Sequence, residues 1–266
     1  ATGGQEYFAN IGAGGNTSQI GGDSTFGLFN SISGQTTIFT AFGGGPSNTS
    51  QDASTRSGGS GGGASHMNPA GLASPSTQTN NGGGTGYGNQ GGASNYSSPY
   101  NHGSGGGASA PGTTGGPGGA GITLSIFNPT RYSPGTTSVT YAGGGGQTNN
   151  SGTTTLGGSG GGGNGANNAN GGNGQPATGS GGGGARLGTG GSGGSGIAIV
   201  KYLAVNSPFY EPCYGKGGSL SGMQVDAVNG NYCYHDFNLE TGLSNVKIAA
   251  GINDDDGTYL FLGEWN

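Results

Sequence analysis

The chain is short of most of what globular cores and charged sites are made from. Only 6% of its 266 residues are charged, with 6 Lys and Arg against 11 Asp and Glu. No basic stripe exists anywhere, so nucleic-acid binding has no electrostatic footing. No apolar run approaches the roughly 18 residues that a membrane helix needs, and membrane insertion is not expected. With 28% apolar residues, an oily core cannot extend through the whole length. Tryptophan occurs once and cysteine twice, which allows at most one internal disulfide. No signal-peptide pattern opens the chain and its first residue is not Met, so it reads as a processed or partial chain, with removal of a leader left open.

The charge that exists is uneven. Residues 1–202 carry Glu6, Asp23 and Asp52 against Arg56, Arg131, Arg186 and Lys201, a net of +1. Residues 203–266 carry eight acids against Lys216 and Lys247, a net of −6, and the two parts sum to the total of −5.

Glycine fills the gap, with 71 residues. Gly with Ser, Asn and Thr at this density is ordinarily flexible linker. Ordering such a chain costs about 1–2 kcal/mol per residue, with Gly at the expensive end. Anything that holds it must act through the backbone rather than through side-chain burial. Helix is disfavoured by about 1 kcal/mol per Gly. Collagen is excluded because Gly keeps no strict every-third-residue register. An extended helix of three residues per turn is compatible: it lacks internal hydrogen bonds and turns its N–H and C=O groups outward. Without Cβ atoms, such helices can approach closely enough to pair those groups laterally and add Cα–H···O contacts. Irregular loops packed on a β core are the alternative.

Strand signals interrupt the glycine. Ser24–Phe42 has β-branched and aromatic residues on both sides of Ser33-Gly34-Gln35, a hairpin pattern leading into Gly43–Gly45. Ile122–Ala142 repeats the plan around Pro134-Gly135 and leads into Gly143–Gly146. IFTAFGGGPSNTS from Ile38 and VTYAGGGGQTNNS from Val139 align at an offset of 101, and GSGGGAS occurs at Gly59–Ser65 and again at Gly103–Ser109. These matches are either an internal repeat, in which a hairpin twice launches a glycine-rich excursion, or an accident of shared composition. The excursions run over about 43–118 and 143–196. The second ends in Ile197-Ala198-Ile199-Val200, a strand that returns the chain to its platform, with Ile197, Ile199 and Lys201 on one face and Ala198, Val200 and Tyr202 on the other. Beyond it, Met223–Val228 and Asn231–Phe237 flank Asn229-Gly230 as a hairpin, and Val246–Ile252 with Thr258–Trp265 suggests another. The fold expected is mainly β plus irregular, with almost no α-helix. A small β-hairpin platform with glycine-rich, polyproline-II-like helices occupies residues 1–203, and a small acidic β module occupies 204–266.

The order GGDSTFGLF, TAFGGGPS, GGPGGAGI, VTYAGGGG and GGSGGSGIAIVKY resembles the glycine-rich domain of phage and environmental-virus virion proteins. It is similar to the adhesins at the tips of T-even-like tail fibres, whose polyglycine helices stack into a sandwich with host-binding loops at one end. The resemblance covers about residues 20–203. The long Ser/Thr/Asn-rich insertions and the acidic tail depart from that pattern and leave open which virion appendage it would be.

Few motifs promise chemistry. Gly-x-Ser-x-Gly occurs at Gly58–Gly62, Gly157–Gly161 and Gly190–Gly194, but a nucleophile elbow requires a strand before it and a helix after it, and this composition generates the string by chance. No enzyme activity, cofactor or metal site is expected. Cys213 and Cys233 could close a disulfide loop or remain buried thiols; a zinc set with His235 and Asp236 lacks ligands. Asp254-Asp255-Asp256-Gly257 fails the calcium-loop pattern, with Ile252 first and Gly263 twelfth. His66 is read as an exposed loop histidine. Tyr87, Tyr96, Tyr100 and His102 gather in GYGNQGGASNYSSPYNH, where Tyr among Ser, Gly and Asn has the chemistry of an antibody paratope. They are the receptor-binding candidates, against the plainer reading of rings packed over the glycine helices.

The function expected is that of a structural virion protein of a phage, a tail-fibre or adhesin component on the particle surface. Its partners would be other virion proteins and a host glycan or outer-membrane protein, with oligomer formation left open. A fibre, spike or capsid-decoration subunit without receptor role, and a secreted surface or ice-binding protein, are the alternatives.

Overall fold

A computed structural model describes residues 6–30, 33–47, 52–65, 71–98, 100–124, 138–149, 151–203, 219–226, 230–238, 245–249 and 258–262. Among them there is no α-helix; one 3-10 turn spans Ala53–Arg56. The described residues form ten strands: β1 (Glu6–Asn10), β2 (Ser24–Asn30), β3 (Gly34–Ala41), β4 (Ile122–Leu124), β5 (Val139–Tyr141), β6 (Ile197–Leu203), β7 (Ser219–Asp226), β8 (Gly230–Asn238), β9 (Asn245–Ala249) and β10 (Thr258–Leu262). The fold is mainly β plus irregular, as the composition implies.

The hairpin signals correspond to real pairs. β2 and β3 are antiparallel, with a bulge between Phe26 and Gly27, and Gly34 enters β3 at φ +80°, which the tight reversal requires. β4 and β5 pair as Ile122 with Tyr141 through Leu124 with Val139. The larger sheets run β3-β2-β1-β9 and β10-β6-β8-β7. β9 and β10 therefore do not form the hairpin expected of them: β9 lies antiparallel on β1 and β10 on β6. A lone two-stranded hairpin is marginal in water, whereas an open sheet edge offers a full row of unpaired backbone groups, and here the edges win. β6 is flanked on both sides, and Ile197, Ala198 and Ile199 are each at most 1% exposed. Both faces of its start are covered.

Two small apolar clusters back these sheets. Tyr7 stacks on Phe26 at 5.4 Å between centroids, and Phe26 meets Phe39 at 6.4 Å. Elsewhere Val139, Tyr141, Ala142, Ile197 and Ile199 pack with Ala108 and Ala177, and Ile122 and Leu124 cover them.

Between the sheets the chain is held mainly by its backbone. Along 103–108 successive N–H groups point to three different neighbours in rotation. Gly103 donates to Ala64 O and Gly106 to Gly61 O; Ser104 donates to Thr113 O and Gly107 to Ala110 O; Gly105 donates to Gly145 O and Ala108 to Ala142 O, all at 2.8–3.0 Å. Residues i and i+3 choose the same neighbour, the signature of a three-residue turn surrounded by like helices. The twin GSGGGAS strings are thus bonded to each other, antiparallel. The same step recurs in parallel pairs: Gly143 and Gly146 donate to Gly160 and Gly163, Gly163 and Ala166 to Gly181 and Gly184, and Gly181 and Gly184 back to Gly143 and Gly146. The lattice is sealed to the platform where Gly193 and Gly196 donate to Gly15 and Gly12. Close approach requires glycine. A Cβ on Gly144 would lie 2.2 Å from Gly105 O, on Gly158 1.9 Å from Gly119 O, and on Gly145 1.8 Å from Gly182 O.

One cation is built into this lattice. Arg56 is fully buried at the end of the 3-10 turn, its Nε donating to Ser74 Oγ and its Nη2 to Leu72 O, each at 2.9 Å. Burial lowers its pKa and the Asp52 carboxylate opposes that fall. Asp52 caps the turn, accepting from Ser54 Oγ at 2.7 Å and Ser54 N at 2.9 Å, and these bonds hold its carboxyl below the ordinary value.

Two outcomes test this reading. Gly144→Ala forces a methyl into backbone on which it cannot close, and should cost about 3 kcal/mol in denaturant unfolding. Gly184→Ala meets nothing closer than 3.7 Å and should cost less than about 1 kcal/mol. Equal losses would mean the close contacts do not hold the fold. For Asp52, a depressed folded pKa means its contribution is present above the unfolded pKa and is lost as pH falls through the folded one. The unfolding midpoint should therefore drop on the acid side of 3.8, and Asp52→Asn should flatten that part of the profile.

Candidate functional site

The aromatic insertion is a closed loop. Asn95 N–H donates to Asn101 O at 3.0 Å, and Asn101 N–H donates back to the Asn95 side chain at 2.7 Å. Asn suits this clasp because its side-chain oxygen mimics a backbone carbonyl. Within the clasp Tyr100 N–H donates to Ser97 O at 2.7 Å, and Tyr100 sits at φ +56°, a left-handed conformation seldom occupied by an aromatic residue. The result places the Tyr96 and Tyr100 rings edge to face, 6.0 Å apart at 66°. Both rings stay open to solvent, at 48% and 36% exposure.

The base of the loop is fastened to the second excursion. Asn149, 5% exposed, donates from Nδ2 to Asn101 Oδ1 at 3.2 Å, while its own Oδ1 accepts from Ser151 Oγ at 2.9 Å and Thr153 N at 2.8 Å. His102 follows, half-buried, its carbonyl accepting from Gly115 N–H. So the structure joins Tyr96, Tyr100 and His102 in one anchored segment. Tyr87, at 44% exposure, stands outside the ring pair.

His102 also forms part of the wall of a cavity of about 280 Å³. Pro46 and Ser47 line it, and so do Gln147 and Thr148, which occupy the matching positions in the two aligned stretches of sequence. Five segments of the glycine lattice and the Asn16-Thr17-Ser18 turn complete the wall, and no Asp, Glu, Lys or Arg is among the residues that line it. Sequence reasoning missed this cavity, since nothing in a run of glycines marks where one lattice position is left open.

The remaining candidates are dispersed. The central serines of the Gly-x-Ser-x-Gly strings lie on lattice segments; Ser60 is fully buried, and its Oγ accepts from Asn89 N–H at 3.2 Å. Among the described residues no group of three His, Cys, Asp or Glu gathers as a metal site would need, and no helix is long and apolar enough to cross a membrane. Cys233 lies on β8 opposite Tyr202 and Met223. Cys213, His66, Asp254-Asp255-Asp256-Gly257 and Trp265 lie outside the described residues.

Fold and site together define a polyglycine-helix scaffold on a β platform, with an anchored aromatic loop and a polar cavity. A family model described as a glycine-rich domain matches residues 1–203, and the chain belongs to that family. The matched span ends with the last residue of β6. No curated protein and no solved structure matches the chain.

Asn149→Ala removes the bond to Asn101 at the loop base together with those from Ser151 and Thr153. The expected result is faster amide exchange at Asn101 and Thr153 with the exchange of Gly163 and Gly181 unchanged. Unchanged exchange at Asn101 would show that the clasp alone fixes the loop.

Proposed function

We propose that the chain is a non-enzymatic surface protein of a phage particle, a tail-fibre or adhesin component that displays its insertions to a host cell. The observation that carries this reading is the Tyr96–Tyr100 pair: two rings held open to solvent on a loop clasped by Asn95 and Asn101 and tied by Asn149 to a rigid lattice. Rigid aromatic area costs little entropy on binding, and the surrounding Ser and Asn supply adaptable hydrogen bonds. The partner would be a host-surface glycan or outer-membrane protein, and the base would be other virion proteins. The scaffold needs no cofactor, and the insertion carries almost no charge, so attachment should be nearly independent of salt.

The test is adsorption of the labelled full chain to bacterial cells, together with gold-labelled antibody against the protein on intact particles. The double variant Tyr96→Ala with Tyr100→Ala should lose roughly tenfold or more in adsorption with its unfolding midpoint unchanged, as for loss of an aromatic hot spot. Label on particles with wild-type adsorption by the variant would leave a structural subunit. Label on cell surfaces and never on particles would make this a secreted surface protein.

A further inference from the structure

The cavity beside His102 interrupts the lattice. In three lattice segments that line it, the three-fold rotation of hydrogen bonds skips one residue. Gly61, Gly62 and Ala64 donate to Asn89, Arg56 and Gly92, but among the hydrogen bonds of the described residues none uses the N–H of Gly63. Gly143, Gly144 and Gly146 donate to Gly160, Gly119 and Gly163, and Gly145 is skipped. Gly181, Gly183 and Gly184 donate to Gly143, Gly172 and Gly146, and Gly182 is skipped. A side chain adds to these. Gln147 is 3% exposed and lines the same cavity, and its buried Oε1 has no hydrogen-bond partner. Gly63 and Gly145 are buried and Gly182 half-buried; buried acceptors and donors left in this state are costly, so the cavity is suited to something that supplies both.

We propose that this cavity binds one neutral sugar unit. The volume, about 280 Å³, lies just under the usual range for small-molecule sites. No Asp, Glu, Lys or Arg lines it, which disfavours ionic ligands, and its wall mixes backbone, hydroxyl, amide and His102 with the small apolar residues Pro46, Ala64 and Ala185. A hydroxyl group both donates and accepts, so one polyol can donate to Gln147 Oε1 and accept from glycine N–H groups. A glycine-rich peptide offers the same two functions, but it would have to approach as a bare helix does. Ser47, Ser65, Gln147 and Thr148 line the cavity, so its wall is not the bare glycine face such a helix needs, and a compact ring suits it better. Exposed Ser47 marks the mouth. The inference deepens the adhesin reading by giving its glycan a place, and it rests on that reading for its biological meaning. Tyr100 precedes His102 by two residues, within about 7 Å along the chain, so the open ring pair and the cavity are neighbours.

The experiment is amide NMR of the full chain titrated with D-glucose, D-galactose and N-acetyl-D-glucosamine, each as free sugar and as methyl glycoside. At least one should shift the Gly63, Gly145 and Gly182 amides saturably, with millimolar affinity that does not change with salt. Gln147→Leu, which removes the acceptor, and Ser47→Trp, which closes the mouth without touching the interior, should each weaken it about tenfold or more. Binding of the methyl glycoside marks the end of a glycan; binding of the free sugar alone marks a free polyol. Silence from all six probes, or shifts that survive in both variants, overturns the proposal. So does a response of the same amides to the peptide Gly-Gly-Ser-Gly-Gly-Ser-Gly in place of the sugars. Sugar binding without cell adsorption would sink the adhesin reading and leave the cavity assigned. Adsorption unchanged in Gln147→Leu, with no sugar shifts, would do the reverse.

Discussion

The whole structure depends on the absence of Cβ atoms where glycine segments meet. Two extended backbones pair laterally in all directions only if nothing projects between them. At Gly118, Gly144 and Gly158 the nearest carbonyl oxygen is 1.9–2.2 Å from where a methyl carbon would be. These distances are far inside van der Waals contact, and the atoms met are backbone, which cannot rotate away. Glycine's usual liability, its conformational freedom, is the entropy that must be offset. The offset comes from the lateral hydrogen bonds made along each segment, each worth about 0.5–1.5 kcal/mol net, and from dense contacts between Cα atoms and carbonyls.

That arrangement explains how so little apolar side chain suffices. The aromatic cluster around Phe26 and the cluster around Tyr141 each cover one end of a hairpin, and their task is local: to fix where the glycine segments start and return. Tyr141 illustrates the coupling. Its ring belongs to the apolar cluster, while its backbone is so close to Gly121 and Gly160 that neither can carry a side chain. Arg56 performs the same service with polar atoms, reaching across to Ser74 and Leu72. A buried guanidinium is tolerable because the surrounding carbonyls and hydroxyls satisfy it.

Much of this was legible in the sequence, and the limits have a physical cause. Hairpins at Ser24–Phe42 and Ile122–Ala142, the closing strand from Ile197 and the three-residue helix each follow from residue type. Alternation and turn residues encode the hairpins, and glycine density with no collagen period encodes the lattice. What a run of glycines does not encode is which neighbour each segment chooses, because identical residues carry no register information. Hence neither the cavity nor the skipped amides of Gly145 and Gly182 could be read in advance. The burial of Arg56 was equally hidden, since a lone arginine in a polar stretch looks like surface. The separation of β9 and β10 was missed for a different reason: adjacency in sequence favours a hairpin, and the open edges of β1 and β6 are invisible until the sheets are built. At the aromatic loop, composition pointed to Tyr96 and Tyr100. The Asn95–Asn101 clasp that orients them was present only as two more asparagines among many.

A lattice whose contacts are made mostly by glycine backbone, with only a few buried side chains such as Arg56, Ser60 and Ser180, has a functional consequence. Its interior cannot vary without steric collapse, so chemical diversity is confined to places where a segment leaves the lattice or where a lattice position is empty. The Tyr96–Tyr100 loop is the first kind of place and the cavity at Gln147 the second, and Asn101 to His102 connects them directly. Because Asn149 fastens the loop and its neighbour Thr148 lines the cavity, the two are mounted on the same stretch of backbone. Recognition on such a scaffold would therefore be rigid, with the entropy of ordering already spent in folding rather than at the moment of contact.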